Sequence, residues 1–261
     1  MYIYVQKEAI KMENKKEQGY NIICGRNPVL EAVRSGREID RLLVSHGVSG
    51  GSVTAIIAKC KQKGILIKEV SPQKLDYYCG GANHQGVAVL FAEQEYCTVE
   101  DILNYAKEKD EKPFIIVCDE IEDPHNLGAI IRTGECCGVH GIIIPKRRSA
   151  SLNATVAKSA SGALEYMKVA RVTNIPNTID MLKENGVWVF GADMDGEDYE
   201  RTDLNCPCAL VIGNEGKGIG TLTAKKCDQI ISLPMFGKIN SLNASVAAGV
   251  LMYEVVRKRR S

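Results

Sequence analysis

Two junctions near the end of the sequence combine glycine, carboxylate, hydroxyl and amide groups in a way that could support chemistry. At residues 210–220 the apolar run LVIG leads into NEGKGIG, a loop that carries one carboxylate, Glu215. At residues 231–247 the run ISLP leads through MFGKIN into SLNASVA, where Ser241 and Asn243 precede an Ala- and Val-rich segment. Ser and Asn are favoured at helix starts because their side chains accept hydrogen bonds from unpaired backbone N–H groups. Helix capping is therefore one explanation of this pair, and a site shared with Glu215 is the other.

Two further segments place polar side chains directly after predicted strands. Asn126 and Arg132 follow FIIVCD at residues 114–119, and a basic tripeptide follows GIIIP at residues 141–145. That tripeptide is Lys146, Arg147 and Arg148. Ligands of open α/β sheets bind at the carboxyl ends of the strands. We therefore expect these loops and the two C-terminal junctions to surround one site.

The common nucleotide-binding, hydrolase and metal motifs do not fit the chain. GNEGKGIG lacks a G-x-G-x-x-G fingerprint, and Lys217 precedes Gly instead of the Ser or Thr of a phosphate-binding loop. No G-x-S-x-G elbow occurs, and His125 beside Pro124 has no evident Ser or Cys partner. The ten cysteines include no Cys-x-x-Cys pair, and four histidines are scattered along the chain. We expect no metal centre and mostly buried, reduced thiols.

Length and composition indicate an ordinary globular protein. The 261 residues are 45% hydrophobic and 25% charged, with a formal net charge of +1, and they allow one large or two modest domains. Residues 93–125 contain 11 acidic and 3 basic residues, so the near-neutral total conceals basic flanks that could contact a polyanion. No apolar run reaches the ~18 residues of a membrane span, and the N-terminus has no apolar signal core. We expect a cytoplasmic protein.

The order of elements predicts two α/β domains. Residues 1–18 form a polar, flexible leader in which translation could start at Met1 or at Met12. Alternating short strands and helices over residues 19–92 predict a small α/β domain, and residues 93–112 a linker that contains one amphipathic helix. Repeated strand, loop and helix order over residues 113–261 predicts a parallel sheet covered on both faces.

Three segments together resemble the SpoU branch of the SPOUT, or trefoil-knot, RNA 2′-O-ribose methyltransferases. The first motif of that family is matched by DPHNLGAIIRTGECCGVHGII, the second by LVIGNEGKGI and the third by ISLPMFGKINSLNASVAAGVLMYEV. They occur in family order over about 150 residues. The first domain is similar to the small RNA-binding domain of the family, which is like ribosomal protein L30e, with GRNPVLEAV and NHQGVAV in the expected places. In layout the chain is most similar to bacterial 23S rRNA guanosine 2′-O-methyltransferases.

The resemblance implies a deep C-terminal trefoil knot, bound S-adenosylmethionine, and a homodimer, formed through the C-terminal domain, whose interface makes the site. Periodicity alone could not imply a knot, because true knots are nearly absent among folds. The residues expected to contact the cofactor are Ala192, Gly213, Asn214, Leu233 and Leu242.

The resemblance also carries a set of polar active-site positions onto Asn126, Arg132, Glu215, Ser241 and Asn243. A ribose 2′-hydroxyl must lose its proton and attack a sulfonium methyl in line, so positioning is a large part of the catalysis. Family proposals make Arg132 the general base, yet a free guanidinium loses its proton only above about pH 12. We therefore expect Arg132 to contact the target phosphate or to steady the developing alkoxide, and Asn126 to orient Arg132 or the ribose. A role of Arg132 as the general base would require strong desolvation. For Glu215, loop bracing and direct catalysis are equal alternatives, while Ser241 and Asn243 fix loops.

The expected partner is ribosomal RNA, with a guanosine of 23S rRNA as the target. Two groups of side chains are expected to bind it: Arg26, Asn27, Asn83 and His84 in the first domain, and Lys146, Arg147 and Arg148 near the site. Phosphate contacts would make affinity fall steeply with salt. Two alternatives stay open, a tRNA ribose 2′-O-methyltransferase with the same motifs and an rRNA-binding factor without turnover. The basic residues 257–260 are expected to complement a helix end and not to bind RNA.

Overall fold

A computed structural model describes residues 22–35, 39–91, 95–239 and 241–260. The predicted leader, the choice between Met1 and Met12, and residues 92–94 at the predicted domain boundary lie outside the described residues. The chain divides into two compact units. The smaller lies within residues 22–95 and also takes in Leu152–Ala154, and the larger contains Tyr96–Ser151 and the chain from Thr155 onward.

The smaller unit is a four-stranded sheet with helices on both faces. Its strand order is β1-β4-β2-β3, with β4 antiparallel to β1 and β2 and with β3 parallel to β2. Val29 and Ile56 from two helices pack on one face, and Leu75 from the third helix packs on the other. The elements are β1 Ile22–Cys24, α1 Arg26–Arg34, β2 Ile39–Ser45, α2 Gly51–Gln62, β3 Leu66–Val70, α3 Pro72–Tyr78 and β4 Val87–Phe91.

The larger unit is built on a six-stranded sheet in which every neighbouring pair is parallel, in the order β10-β8-β9-β5-β6-β7. Its strands are β5 Phe114–Cys118, β6 Gly141–Pro145, β7 Val169–Val172, β8 Trp188–Asp198, β9 Cys208–Ile212 and β10 Gln229–Ser232. Its helices are α4 Val99–Glu108, α5 Pro124–Cys136, α6 Ala154–Ala160, α7 Ile175–Glu184, α8 Thr221–Lys226 and α9 Ala244–Arg260. Short 3₁₀ turns occur at Ala163–Glu165 and Tyr199–Arg201.

The central strands are buried on both faces, as their continuous apolar sequences predict. All five residues of β5 and all five of β9 are buried, which is the pattern of a parallel sheet covered by helices. The predicted α/β class, with a parallel-sheet domain preceded by a small α/β domain, is confirmed by this topology together with the comparisons given below.

The helix of the predicted linker belongs to the larger unit. Thr98 and Asp101 form a capping box that begins α4. Val99 and Ile102 of this helix join the core cluster that also contains Ile179 of α7, and Ile102 is fully buried. The amphipathic pattern of α4 therefore reflects packing on the sheet, and not a connection that stands apart from it.

Two features of the sheet were not predicted from the sequence. The strand β7 is a short VARV segment whose alternation is too brief to distinguish from a loop. The strand β8 continues beyond Asp193, because residues 192–196 bulge out between the pairing of Gly191 with Ile230 and the pairing of Glu197 with Ile231. A bulge of this kind re-aims side chains next to a sheet edge.

Basic residues at the end of α9 make hydrogen bonds and an ion pair within the larger unit. Arg257 pairs with Glu254, and Arg259 donates to the carbonyls of Lys112, Pro113 and Cys206 at 2.8–2.9 Å. These contacts hold the end of the helix against the amino-terminal edge of the sheet.

Among the described helices, none has the length and apolar character needed to cross a membrane.

Candidate active site

A cavity of about 310 Å³ lies between the middle of β8 and the carboxyl ends of β9 and β10, and the first half of α9 forms one of its walls. Its apolar wall includes Ile212, Ala247 and Leu251, and its polar wall is the glycine loop that follows β9. All five positions predicted for the cofactor line it, as do two of the predicted active-site residues: Ala192, Gly213, Asn214, Leu233 and Leu242, with Glu215 and Ser241. The roles of these residues stay predictions.

Three polar side chains from three separate segments meet beside this cavity. Asn126 Nδ2 donates to Glu215 Oε1 at 2.6 Å, and Asn243 Nδ2 donates to the same oxygen. Asn243 Nδ2 also donates to Asn126 Oδ1 at 3.0 Å, which closes a triangle. Asn126 is 7% exposed, so its amide is committed to this network and not to solvent. We call Asn126, Glu215 and Asn243 the polar triangle.

Asn243 belongs to the triangle and also caps α9. Its Oδ1 accepts from the backbone N–H groups of Ser245 and Val246 at 3.0 and 3.3 Å and from Ser245 Oγ at 2.6 Å. The carbonyl oxygen therefore satisfies the helix start, while the amide nitrogen faces Glu215. Helix capping and a place in the polar triangle are therefore compatible tasks for Asn243.

The glycine loop is held in a tight turn by its own backbone and by Asn214. Asn214 and Gly218 exchange two backbone hydrogen bonds at 2.8 and 3.0 Å. A Cβ on Gly213 would lie 2.2 Å from the carbonyl carbon of Gly218, so only glycine permits this close approach. The Asn214 side chain accepts from Gly216 N and donates to the carbonyl of Glu120, which fixes the loop against the end of β5.

Arg132 lies away from the polar triangle of its own chain. It is on α5 six residues after Asn126, and six residues along a helix turn the side-chain direction by about 120°. Its guanidinium is exposed, and the hydrogen bond that the described residues show for it runs from Nη1 to Ser161 Oγ at 3.4 Å. The expected contact of Asn126 with Arg132 is therefore not made within this chain, because Asn126 turns toward Glu215.

The predicted basic loop after β6 is exposed and is joined to the glycine loop through Glu120. Arg148 Nη1 donates to Glu120 Oε1 at 2.8 Å, and the carbonyl of the same Glu120 accepts from Asn214. Lys146 and Arg147 are exposed side chains beside this contact. Two positive charges thus remain on the surface near the cavity.

In the smaller unit the predicted RNA-binding residues gather around one loop. Arg26 donates to Gln85 O at 3.2 Å and to Ser52 Oγ at 3.2 Å. His84 accepts from Gly86 N at Nδ1, so its neutral ring carries the proton at Nε2 and donates it to Asp76 at 3.0 Å. His84 therefore shapes the loop, while Asn27 and Asn83 are exposed on its outside.

Sequence reasoning missed several residues that line the cavity. Asp193 and Met194 come from the bulge of β8, Lys217 from the glycine loop and Met235 from the segment after β10. A carboxylate at the end of a predicted strand was visible in VFGAD, but neither spacing nor charge distinguished it from its neighbour Asp195. The described residues contain no group of three or more His, Cys, Asp or Glu that could hold a metal ion.

The composition of the cavity fits S-adenosylmethionine. About 310 Å³ falls at the lower end of the range for small-molecule sites, roughly 300–1,000 Å³. The apolar side chains suit an adenine ring and a thioether chain, and the exposed backbone of the glycine loop offers hydrogen bonds. The carboxylates of Asp193 and Glu215 suit a ligand that carries positive charge.

Comparisons with known proteins give the same assignment. Residues 113–253 match the sequence model of the SpoU rRNA Methylase family, and residues 22–97 match that of the RNA 2′-O ribose methyltransferase substrate-binding domain. A Bacillus subtilis protein assigned to the TrmH family of tRNA/rRNA methyltransferases, YacO, is 49% identical over 243 residues, which is 93% of this chain and 97% of the relative. A Staphylococcus aureus protein assigned to the same family is 45% identical over 239 residues, 91% of this chain and 96% of the relative.

Two solved structures have the same fold over nearly the whole chain. The SpoU methyltransferase AviRb of Streptomyces viridochromogenes, in complex with AdoMet, gives a TM-score of 0.60 at 24% identity, with 93% of this chain and 91% of that chain covered. An AdoMet-bound rRNA methyltransferase of Sinorhizobium meliloti gives 0.58 at 25% identity, with 95% and 90% covered. The family match and the similarity to the AdoMet-bound rRNA methyltransferase identify an S-adenosylmethionine-dependent RNA methyltransferase with an α/β fold. The chain belongs to the SpoU rRNA Methylase family, whose model matches more than half of it.

Proposed function

We propose that the protein methylates a ribose 2′-hydroxyl in RNA, at a guanosine of 23S rRNA. The observation that carries this proposal is the polar triangle beside the cavity. Three groups that are 28 to 117 residues apart in sequence meet here: the amides of Asn126 and Asn243 both donate to one oxygen of Glu215, and the amide of Asn243 also donates to that of Asn126. A fold needs no such convergence to close its core, whereas a reaction that depends on positioning does.

In this proposal S-adenosylmethionine, when bound, supplies a methyl group that is already activated by the sulfonium. Ala192, Leu233 and Leu242 hold the apolar parts of the cofactor, and the backbone of the glycine loop holds its polar parts. Asn126 and Asn243 fix the Glu215 carboxylate through one oxygen, which leaves its second oxygen to accept the proton that the 2′-hydroxyl loses as the methyl group is transferred. Ser241, at the cavity wall, contributes a hydroxyl that can orient the incoming ribose.

Arg132 would act from the neighbouring subunit of a homodimer. Thr133 of α5 packs against Gly249 of α9, so Arg132 borders the outer side of this helix pair. That side exposes the apolar residues Val246, Val250 and Tyr253 by 40–56%. Burying such a strip is favourable by ~25 cal/mol per Å², and a two-fold contact over it would carry the partner subunit's Arg132 toward this subunit's cavity. There the guanidinium would steady a phosphate or the developing alkoxide.

Residues 22–97 match a substrate-binding domain of RNA 2′-O ribose methyltransferases, which supports an RNA substrate. One comparison favours ribosomal RNA over transfer RNA. The rRNA methyltransferase of Sinorhizobium meliloti is similar over 95% of this chain, whereas the TrmH/SpoU tRNA modifying enzyme of Aquifex aeolicus is similar over 57%. Arg26, Asn27 and Asn83 with Lys146 and Arg147 would then contact the RNA. On this proposal the enzyme works in the cytoplasm, where the ribosome is assembled.

Mapping of 2′-O-methyl groups tests the proposal. Ribosomal and transfer RNA from cells with and without this protein would be digested and compared by mass spectrometry. We expect one 2′-O-methylguanosine of 23S rRNA to disappear and to return when the purified enzyme and S-adenosylmethionine are added. Loss of a methyl group from tRNA alone would establish the tRNA alternative, and an unchanged pattern in both RNAs would favour a binding factor without turnover.

A further inference from the structure

The carboxylate of Asp193 lies on the cavity wall without a role in the polar triangle. It stands in the bulge of β8, whereas Asn126 of the polar triangle follows β5, on the other side of β9 in the sheet. Its Oδ1 accepts from the backbone N–H of Met194 at 2.7 Å. A Cβ on Gly218 would lie 3.0 Å from Oδ2, so glycine at this position leaves room for the second oxygen. Gly218 has a φ of +67°, which any other residue would adopt only with strain.

The second oxygen of Asp193 has unused capacity to accept hydrogen bonds. In the described part of the chain, the amide of Met194 is the donor that reaches this carboxylate, and no ion pair is formed with it. The other carboxylate of the cavity, Glu215, has one oxygen committed to Asn126 and Asn243 and belongs to the polar triangle. Asp193 is therefore an acidic group of the cavity that the cofactor can engage independently of the polar triangle.

We infer that Asp193 accepts hydrogen bonds from the ribose hydroxyls of the cofactor's adenosine. The position of Asp193 in the sheet is one from which acidic residues bind ribose in other proteins. In dinucleotide-binding sheets an acidic residue binds a ribose from the end of a strand other than the one that carries the glycine loop. Here the glycine loop follows β9, and Asp193 comes directly after Ala192, the last residue of the neighbouring β8 that pairs with β9. The inference rests on the cofactor and is independent of which RNA is methylated.

Calorimetric titration of the full-length protein with three cofactor analogues shows which part of the cofactor Asp193 binds. Three probes are used: S-adenosylhomocysteine, 5′-methylthioadenosine, which keeps the ribose and lacks the amino acid, and 2′-deoxy-S-adenosylhomocysteine. We expect Asp193→Ala to weaken binding of the first two by a similar factor, roughly 10- to 100-fold, since a hydrogen bond to a charged group is lost. Binding of the deoxy probe, which is already weak and keeps only the 3′-hydroxyl, should fall by a smaller factor than binding of the other two.

Two further variants keep the test independent of folding. Asp193→Asn retains an oxygen for Met194 N–H and should show a smaller loss of the same pattern. Asp195→Ala removes an equal charge from an exposed position in the same bulge and should bind all probes as the wild type does. A loss confined to S-adenosylhomocysteine would place the carboxylate on the ammonium and overturn the inference, as would an equal loss in Asp195→Ala. Failure of the wild type to bind S-adenosylhomocysteine would instead overturn the cofactor assignment itself.

Discussion

The side chain of Glu215 can brace two loops and also take part in catalysis. Its Oε1 accepts from amides that lie 89 residues before it and 28 residues after it, so the carboxylate braces two loops at once. Loop bracing and catalysis remain compatible, because the second oxygen takes no part in the polar triangle. Arg132, by contrast, has no evident structural task among the described residues. Its guanidinium is exposed, and its long hydrogen bond to Ser161 contributes little to the packing of α5.

Replacing Arg132 separates chemistry from cofactor binding. We expect Arg132→Ala to abolish methyl transfer while the affinity for S-adenosylhomocysteine stays nearly unchanged, because Arg132 does not line the cavity. Arg132→Lys keeps the charge but loses the planar fork, so it should recover only a small part of the rate. Single-turnover methylation and calorimetry measure the two quantities. Wild-type turnover in Arg132→Ala would show that this position has no role in the reaction.

His140 predicts a pH dependence of stability in the larger unit. Burial lowers the pKa of this 1%-exposed imidazole, an effect that its hydrogen bond to Glu111 partly opposes. The neutral ring accepts from Phe114 N at Nδ1 and donates from Nε2 to Glu111. Since the unfolded chain takes up this proton more readily, the contribution is complete above about pH 6.5 and declines as the pH falls through the lowered pKa.

Urea unfolding followed by the fluorescence of Trp188, the one tryptophan of the chain, reports on this unit. The wild type should lose stability between pH 7.5 and pH 5.5, and His140→Gln should start lower and lose less over that interval. His46→Gln, at an exposed position, serves as the control. Parallel curves for wild type and His140→Gln would show that another group titrates.

At the scale of elements, α9 links helix stability to the site. Its first turn is capped by Asn243 Oδ1, and its last turn is anchored by Arg259 on carbonyls at the opposite end of the sheet. The helix therefore holds its N-terminus, with Asn243, in a fixed position relative to β9 and the glycine loop.

Asn243→Ser distinguishes the capping task from the site task. Serine is nearly as good an N-cap as asparagine, so the midpoint of thermal unfolding should fall by little, whereas Asn243→Ala should cost about 1 kcal/mol of stability. Serine cannot supply the amide that donates to both Asn126 and Glu215, so we expect both variants to lose methyl transfer by at least roughly 10-fold. If Asn243→Ser keeps wild-type activity, Asn243 serves the helix alone.

At the scale of the whole molecule, the proposed dimer would complete the site. The exposed apolar strip belongs to α9, which packs through Gly249 against Thr133 of the helix that carries Arg132, while the polar triangle and the cavity lie at the strand ends of the same unit. A site shared between subunits requires that two inactive variants complement each other, which a site within one chain does not.

Mixing Arg132→Ala with Glu215→Ala tests this arrangement. After subunit exchange, half of the dimers are mixed and each of these has one site with both residues intact, so about a quarter of the wild-type activity should return. Each variant alone, exchanged with itself, is the control. No recovery, with mixed dimers demonstrated by native mass spectrometry, would place Arg132 and Glu215 of the same chain in one site.

The sequence by itself determined the α/β class, the continuous apolar strands and the segments that carry the polar groups, because these depend on local composition and periodicity. It also indicated the family, through three motifs in order, and every predicted cofactor position lines the cavity. It could not supply β7, the bulge of β8 or the place of Asp193, since these arise from pairing between strands far apart in the chain. Only the tertiary structure decided that Asn126 faces Glu215 and not Arg132, because the direction of a side chain on a helix has meaning only once its neighbours are in place.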